Sequence, residues 1–530
     1  MGWRRREPGG LEMELAARAG LIGGMVLSVA LCGCTSPGQW IRNGLKVGPN
    51  YCPPHAPVAS RWIDAADARV RSEPADDSQW WQVFHDSSLD ELVWTAYRQN
   101  LPLKEAGARI LMARGQLGVA AGNLFPQQQQ AFAGYSRNAI SGTVANRQFA
   151  PQRFYDLWNG GFNLSWELDF WGRLRRAIEA ADAQLDAAED DYDAVLVLLV
   201  ADVARSYTQI RTLQTQLKLA HENVKLQQET LDLAKVRFSN GVVSNLDVEQ
   251  ASANLAETET LIPPLQISLR QTGIQLCILL GVPPEDLQEK LNRGPIPTVS
   301  TKVAVGIPAD LLRQRPDVRR AERQLAAQCE QIGIATAQLY PQLSIVGAIG
   351  VEAGQFADLD KSESFSGGIG PSLRWDVLNY GRNLNRIGIQ DAHFRELLWS
   401  YRNAVLKANG EVEKGLVAFL YAQELVRAQA RAVEASRKSV ELSLIQYEAG
   451  KIDFNRVFLL ERDLVQQEIQ LAQAQANIVL GLIEVYRALG GGWQIRHAEP
   501  PEAAEEVPPQ EIRGQGSEVR GQELGPSSAL

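Results

Sequence analysis

The chain repeats itself at a constant spacing, and this duplication restricts its fold more than any other feature. Ten residues of one block recur with the same identity 209 positions later, beginning with Trp166 and Trp375 and ending with Gly281 and Gly490. Each copy is far longer than a solenoid repeat, which has about 20 to 50 residues. The sequence therefore predicts two halves of similar fold that are related by internal pseudo-symmetry.

A second block shows the same duplication at a different spacing. Six residues recur 215 positions later, beginning with Ala106 and Ala321 and ending with Gln127 and Gln342. Since 215 exceeds 209 by six, the first copy has six extra residues between the two blocks. An insertion confined to one place predicts a longer loop in the first copy.

The composition favours a large folded protein without a nucleic-acid partner. Of the 530 residues 45% are apolar and 22% charged, and the net charge of −9 leaves no basic excess to bind phosphates. No P-loop or glycine-flanked nucleophile occurs, and the five histidines lack metal-ligand spacing. We expect no catalytic residue, no metal and no cofactor, so the protein is not predicted to be an enzyme.

The first residues have the three parts of an export signal. Basic residues at positions 4–6 precede an apolar run at 21–31, and Leu31-Cys32-Gly33-Cys34 resembles the lipobox of bacterial lipoproteins. In that motif a small residue precedes the lipidated cysteine, so Cys34 fits and Cys32 does not. We expect residues 1–33 to be removed and Cys34 to carry covalent lipid; ordinary signal cleavage nearby is the alternative. The other cysteines, Cys52, Cys277 and Cys329, are scattered, which argues against a disulfide framework.

Strict alternation of apolar and polar residues predicts a strand at 161–170. Its apolar face consists of Phe162, Leu164, Trp166, Leu168 and Phe170. The second copy alternates in the same way, with Leu373 and Trp375 on the apolar face. Weaker alternation at 127–138 and 343–351 brings the count to two strands per copy and four per chain. An apolar face of this kind suits a sheet over a core or a barrel wall that faces lipid.

Very long helices follow the second strand of each copy. About 65 residues without proline separate Gly172 from Gly241 and Gly381 from Gly450, which corresponds to a helix of about 100 Å. Apolar residues recur there at coiled-coil spacing. Each helix ends at a turn where Gly241 or Gly450 supplies a left-handed cap, and a second helix returns, over 245–280 and 453–489. Proline at 263 and 264 interrupts only the first of these returning helices.

Beyond the signal, the chain has no stretch of 18 apolar residues, so it could span a membrane only as a closed barrel. Four strands are too few, because such barrels need at least about eight. Three copies would supply twelve strands and a matching ring of helical hairpins.

Four motifs resemble those of the bacterial outer-membrane efflux proteins, specifically the lipoprotein exit ducts of tripartite resistance-nodulation-division pumps. The resemblance covers about residues 34–492, and the third motif is the most specific. The motifs are Val47-Gly48-Pro49-x-Tyr51, Trp80-Trp81-x-x-Phe84-x-Asp86-x-x-Leu89, Asp310-Leu311-Leu312-x-x-Arg315-Pro316-Asp317 and Tyr340-Pro341-x-Leu343-Ser344.

The resemblance implies a mainly α protein with a membrane β-barrel, in which a trimeric 12-stranded barrel stands on a long α-helical periplasmic tunnel. It also implies a homotrimer in the outer membrane of a diderm bacterium, with a periplasmic adaptor, an inner-membrane proton-driven transporter and outer-membrane lipid as partners. The domains expected are a signal peptide (1–33), an anchor and tether (34–79), a first repeat (80–281), a linker (282–308), a second repeat (309–492) and a disordered tail (493–530).

The function implied is passive export of drugs, solvents or toxins through this duct. Metal-cation efflux and type I secretion use similar ducts and remain open, as does a non-channel lipoprotein that scaffolds the envelope. The turns at Gly241 and Gly450 are expected to dock the adaptor. Glu434, Glu441 and Glu448 are seven residues apart and lie on one helix face; they line either an acidic aperture or a solvated outer stripe. Trp80, Trp81, Arg315 and Asp317 are expected to pack where helices meet.

Overall fold

The computed structural model describes residues 36–73, 77–143, 152–287 and 291–498. The predicted signal peptide and Cys34 lie outside the described residues. The α-helices are α1 (Pro37–Arg42), α2 (Ser87–Gln99), α3 (Leu101–Gly122), α4 (Arg173–Ser239), α5 (Asn245–Glu259), α6 (Ile262–Leu280), α7 (Leu311–Gln314), α8 (Pro316–Ala337), α9 (Arg382–Glu448) and α10 (Phe454–Leu489). The strands are β1 (Val70–Arg71), β2 (Gln128–Ala139), β3 (Phe154–Leu168), β4 (Val303–Ala304), β5 (Gln342–Ala353) and β6 (Phe365–Arg374).

The long strands form one antiparallel sheet in the order β2-β3-β5-β6, as the count of two strands per copy predicts. Phe162 lies opposite Ile349, and Leu164 lies opposite Gly347. Because side chains alternate between faces, these pairs place most of the apolar residues on one side of the sheet. The opposite side carries Asn163, Ser165, Glu167, Ser344 and Ser372.

Two residues expected on the apolar strand face lie beyond the ends of their strands. β3 begins at Phe154, earlier than predicted, and stops at Leu168, so Phe170 is outside it. The ring of Phe170 packs against Trp40, with centroids 5.1 Å apart. β6 stops at Arg374, and the indole N–H of Trp375 donates to the carbonyl oxygen of Leu339 at 3.0 Å. The alternation of apolar and polar residues continues beyond the last paired residues of both strands, where contacts with helices replace strand pairing.

The two predicted long helices are present, and each has 67 residues. The helix that returns after α4 is broken between α5 and α6, next to Pro263, whereas α10 runs unbroken over 36 residues. The main apolar core joins α4, α6, α9 and α10, and a second, smaller cluster lies near the turns. None of the described helices is long and apolar enough to cross a membrane.

Parts of the predicted tether, linker and tail are packed against the helical body. In the tether, the buried Trp62 donates its indole N–H to the carbonyl oxygen of Gly306 at 3.0 Å. β1 of the tether pairs in parallel with β4 of the linker. Residues 493–497 form a 3-10 helix in which Ile495 is buried, so the predicted disordered tail cannot begin at 493. Apolar residues of these segments are buried against the helical body, and local sequence patterns do not predict such long-range contacts. The β2–β3 connection, residues 140–153, is three residues longer than the β5–β6 connection, residues 354–364, so half of the six extra residues lie in this loop and the rest lengthen the strands. Residues 144–151 lie outside the described residues.

Candidate functional site: sheet edges, helix joints and hairpin tips

The sheet leaves one long edge on β2 and another on β6. In the described chain, β2 pairs only with β3 and β6 only with β5. The apolar face next to these edges is open to its surroundings, since Phe162 is 62% exposed and Leu373 is 63% exposed. Phe162, Leu164, Trp166 and Leu168 lie on this face, as predicted. Trp166 lies near the end of β3 and donates its indole N–H to the carbonyl oxygen of Leu124 at 3.2 Å.

The joint between β3 and α4 is held by polar contacts. Gly172 has φ of +81°, which turns the chain from strand to helix. Asp169 accepts hydrogen bonds from the backbone N–H groups of Leu174 and Arg175, at 2.8 and 3.0 Å, and so caps α4. The same carboxylate forms an ion pair with the Arg175 guanidinium. The direction in which the long helix leaves the sheet is thereby fixed.

A fully buried arginine fastens the start of the described chain onto this joint. Arg176 of α4 donates to the carbonyl oxygens of Val47 and Gly48, at 2.6 and 3.1 Å, and forms an ion pair with Glu330 of α8. Gly48 lies so close to Gly333 that an added Cβ would be 2.5 Å from the Gly333 Cα. Burial raises the pKa of Glu330, and the Arg176 guanidinium opposes that rise. The Val47-Gly48-Pro49 motif therefore fills the space between two helices.

The most specific motif also makes a structural contact. Buried Arg315 binds both carboxylate oxygens of Asp317, at 2.9 and 2.7 Å, and donates to the carbonyl oxygen of Ala488 at 2.7 Å. Trp80 and Trp81 are buried beside the end of α10, where Trp80 stacks on Tyr486 with centroids 5.4 Å apart. The predicted packing role of these residues is confirmed.

Acidic residues of α4 meet arginines of α8 and of the 3-10 helix. Buried Asp193 forms ion pairs with Arg319 at 2.8 Å and with Arg496 at 3.0 Å. Burial raises the pKa of Asp193 to about 6, although both arginines act to lower it. The Arg319 guanidinium also lies 4.6 Å from the ring centroid of Trp493. These contacts hold residues 493–497 against the body.

The two hairpin turns lie side by side at the far end of the long helices. Gly241 has φ of +71° and Gly450 has φ of +68°, so both predicted left-handed caps are present. Arg237, at the end of α4, donates to the carbonyl oxygens of Tyr447 and Glu448 at the end of α9. One turn of the duplicated structure is therefore fastened to the other.

The three glutamates of the predicted aperture are all exposed on the single chain. Glu434 forms an ion pair with Lys438 at 2.7 Å, which lowers the pKa of Glu434. Glu441 and Glu448 lie farther along the same face of α9, toward the turn. In the described residues no group of three or more His, Cys, Asp or Glu side chains is placed to hold a metal ion.

Sequence reasoning missed Arg176, Glu330 and Arg237, because their partners lie far away along the chain. The position equivalent to Arg237 in the second copy is Gln446. Because residues 237–240 all differ from residues 446–449, this difference does not by itself single out Arg237.

Known proteins resemble this chain over most of its length. The family model described as outer membrane efflux protein matches residues 92–282 and 307–491. The pyoverdine export outer membrane protein OpmQ of Pseudomonas putida is 30% identical over 478 residues, which cover 88% of this chain and 96% of that protein. Nodulation protein T of Rhizobium leguminosarum bv. trifolii is 30% identical over 459 residues, or 86% of this chain and 96% of that protein.

A solved structure agrees with these relatives. The outer-membrane channel OprN superimposes with a TM-score of 0.79 at 33% identity, over 84% of this chain and 99% of that one. The family predicted from the four motifs is thus confirmed, and the chain belongs to the outer membrane efflux protein family.

Proposed function

We propose that three copies of this chain form a passive exit duct through the outer membrane, with a 12-stranded barrel above a helical tunnel. The observation that carries the proposal is the sheet, which has four strands, one apolar face and, within the described residues, two unpaired edges. It is joined to two helices of 67 residues each. Removing one large apolar side chain from water contributes about 1.5 to 3 kcal/mol of stabilisation. An exposed row of such side chains therefore favours contact with lipid.

The internal duplication supports closure of the sheet by further copies. Within one chain Trp171 stacks on Tyr340, with centroids 4.5 Å apart. The equivalent residues are Tyr380, 209 positions after Trp171, and Phe125, 215 positions before Tyr340. Tyr380 is 90% exposed and Phe125 is 67% exposed. A neighbouring copy would bring its Phe125 to this Tyr380 and repeat the contact seen inside the chain.

The same reasoning gives a proposed register between copies. Leu164 pairs with Gln129 on one side and with Gly347 on the other, whereas its equivalent Leu373 pairs with Leu343 alone. Gln129 is therefore the counterpart of Leu343, and Ala133, four residues later, is the counterpart of Gly347. Leu373 should lie opposite Ala133 of the next copy. A register one residue away would turn the apolar face inward.

Cysteine pairing tests this arrangement. In a Cys52→Ser background, Leu373→Cys combined with Ala133→Cys should form disulfides between copies and give a covalent trimer on a non-reducing gel, because directly opposed residues have Cα atoms about 4.5 to 5.5 Å apart. Leu373→Cys with Phe132→Cys, whose side chains point to opposite faces, is the matched control. Equal pairing in both variants, or covalent dimers without trimers, would contradict the register. Current across a planar bilayer separates a duct from a scaffold.

The remaining parts of the proposal follow from the family. Cys34 would carry the lipid anchor, and a periplasmic adaptor and an inner-membrane proton-driven transporter would supply substrate and energy. Drugs, solvents or toxins are the proposed cargo, in line with OpmQ, which is named for the export of pyoverdine. No catalysis by the duct itself is required.

A further inference from the structure

A layer of buried polar side chains separates the two apolar clusters of the helical body. The main core reaches Leu213 on α4, and the second cluster begins at Leu231. The polar layer between them is formed by seven buried residues of α4, α5 and α10. They are Asn223, Gln227, Thr230, Asn254, Thr258, Glu461 and Glu468.

Glu461 lies at the centre of this layer and is 1% exposed. Its carboxylate accepts hydrogen bonds from the Thr230 hydroxyl of α4 at 2.7 Å and from the Asn254 amide of α5 at 2.9 Å. Three helices thus meet at a single acidic group. Within the described residues this carboxylate makes no ion pair, and an unpaired buried charge is costly.

The layer also holds side-chain oxygens to which no donor in the described part of the chain points. In the described structure the side-chain oxygens of Asn254 and Gln227 are buried without a hydrogen-bond partner, and so is the amide nitrogen of Gln227. A neutral carboxyl has an O–H to donate, whereas a carboxylate can only accept. The layer therefore suits the neutral form better than the charged one.

The charged groups around Glu461 are engaged elsewhere or exposed. Glu468, seven residues away on α10, pairs with Arg437 of α9, about 10 Å along the helix axis. On α10, Arg462 lies over the Phe458 ring, and Asp463 accepts from Ser436. On the neighbouring helices, Asp232 pairs with Lys235 on α4 and Glu434 pairs with Lys438 on α9. The other charged residues nearest along these helices are all exposed; they are Lys225, Glu229, Glu257, Glu259 and Glu441.

We propose that protonation of Glu461 is a switch that couples the hairpin tips to the helical body. The neutral carboxyl keeps the polar layer closed, and the ionised carboxylate loosens the tips, from the layer to the turns at Gly241 and Gly450. The break between α5 and α6, at residues 260–261, lies beside the layer and allows the tip side of the hairpin to move. In the proposed duct these tips form the periplasmic end, so the biological meaning of the switch rests on the proposed function.

The direction of the pH effect follows from the environment of the group. Burial raises the pKa of Glu461 to about 7, against the lowering effect of its two hydrogen bonds. A carboxyl whose folded-state pKa is raised stabilises packing at low pH, and that contribution is lost as pH rises through the folded-state pKa. The tips should therefore be firm at pH 5 and loose at pH 8.

Hydrogen exchange on the detergent-solubilised protein, followed by mass spectrometry between pH 5 and 8, tests the switch. The intrinsic exchange rate changes with pH equally in the wild type and in Glu461→Gln, so comparing the two at each pH removes it. The Gln side chain cannot ionise, so the remaining difference reports ionisation of Glu461. In segments 223–259 and 440–465, wild-type protection relative to this variant should fall by up to about tenfold per pH unit between pH 5 and 7. Glu257→Gln, which alters an exposed carboxylate of α5, should behave as wild type.

A second variant keeps the test sharp if Glu461→Gln folds poorly. Thr230→Val removes a donor to the carboxylate and so raises its folded-state pKa, and the fall in protection should continue to a higher pH than in the wild type. A wild-type profile that matches Glu461→Gln at every pH, or an unmoved profile in Thr230→Val, would overturn the switch. Bilayer conductance reports the proposed function separately: a conducting protein with pH-independent tips refutes the switch alone, and a non-conducting protein refutes the duct.

Discussion

The Arg237 guanidinium lies over the Tyr447 ring, with 4.7 Å between its Cζ and the ring centroid, and joins the last turn of α4 to the last turn of α9. It also donates to the carbonyl oxygen of Glu448 at 2.7 Å. Carbonyls at a helix end lack partners within the helix, so this single side chain caps the neighbouring hairpin. Its equivalent in the second copy, Gln446, cannot supply a cation.

Arg237→Gln makes the two copies alike at this position and should loosen the tips. Loss of a charged hydrogen bond costs about 1.5 to 3 kcal/mol, so we expect faster proteolysis at the turns and larger or noisier single-channel currents. Lys235→Gln, which removes only an exposed cation paired with Asp232 at 3.5 Å, is the matched control. Equal proteolysis of both variants would show that Arg237 does not hold the tips.

Gly241→Val should strain the first hairpin turn and weaken adaptor docking. The added Cβ meets nothing within 4 Å, so the cost comes from the left-handed backbone, at about 1 to 2 kcal/mol. Gly241→Asn is the control, since asparagine tolerates this conformation. Gly450→Val should behave in the same way. The measurement is adaptor affinity by surface plasmon resonance, and full affinity in both valine variants would argue against docking at these turns.

The regular parts of the fold are predictable because local patterns determine them. Glycine at both ends and no proline between predict α4 and α9 to within a few residues, and period-two alternation predicts the face of Phe162. The contacts of Arg176 with Val47 and Glu330 join positions more than 120 apart, and no local pattern encodes them. The alignment of β2 with β5 shows the same limit. The repeat spacing of 215 makes Gln128 the counterpart of Leu343. The strand pairing makes Gln129 the counterpart of Leu343 instead.

The residues of the candidate site also fall into those that a local pattern predicts and those that depend on long-range contacts. Gly241 and Gly450 were predictable, because a left-handed cap has a residue preference. Glu461 was not, because its neighbours on α10 give no sign that α4 and α5 enclose it. The alternation pattern places Phe170 and Trp375 in strands that end before them, because alternation carries no signal for where a strand stops.

Glu441 and Glu448 should influence ion selectivity if they line the aperture of a trimer. Replacement of both by Gln would remove two carboxylates per copy and lower the preference for cations, as read from reversal potentials across a salt gradient. Glu434→Gln combined with Lys438→Gln should change selectivity little, because this ion pair, 2.7 Å between its charged atoms, carries no net charge. Unchanged reversal potentials in the Glu441 and Glu448 double variant would assign the three glutamates to a solvated outer stripe.

Cys34→Ser should abolish acyl labelling and leave a larger precursor, since lipid attachment requires the cysteine sulfur. Cys32→Ser is the matched control and should remain lipidated, because Leu31 precedes that cysteine where the motif needs a small residue. Radiolabelled palmitate and gel mobility provide the measurement. Full labelling of Cys34→Ser would place the anchor elsewhere.

Arg176→Met should be among the most destabilising single changes outside the apolar core. It removes the cation beside the mostly buried Glu330 and leaves the carbonyl oxygen of Val47 without its side-chain donor. Removal of one partner from a buried ion pair costs about 3 to 5 kcal/mol, so the urea midpoint should fall and segment 44–60 should become sensitive to protease. Lys46→Met, which breaks a partly exposed ion pair with Glu179, should cost less than about 1 kcal/mol. Adding Glu330→Gln to Arg176→Met should restore part of the loss, because the buried charge is then gone. Equal urea midpoints for Arg176→Met and Lys46→Met would show that the Arg176–Glu330 pair does not hold segment 44–60 in place.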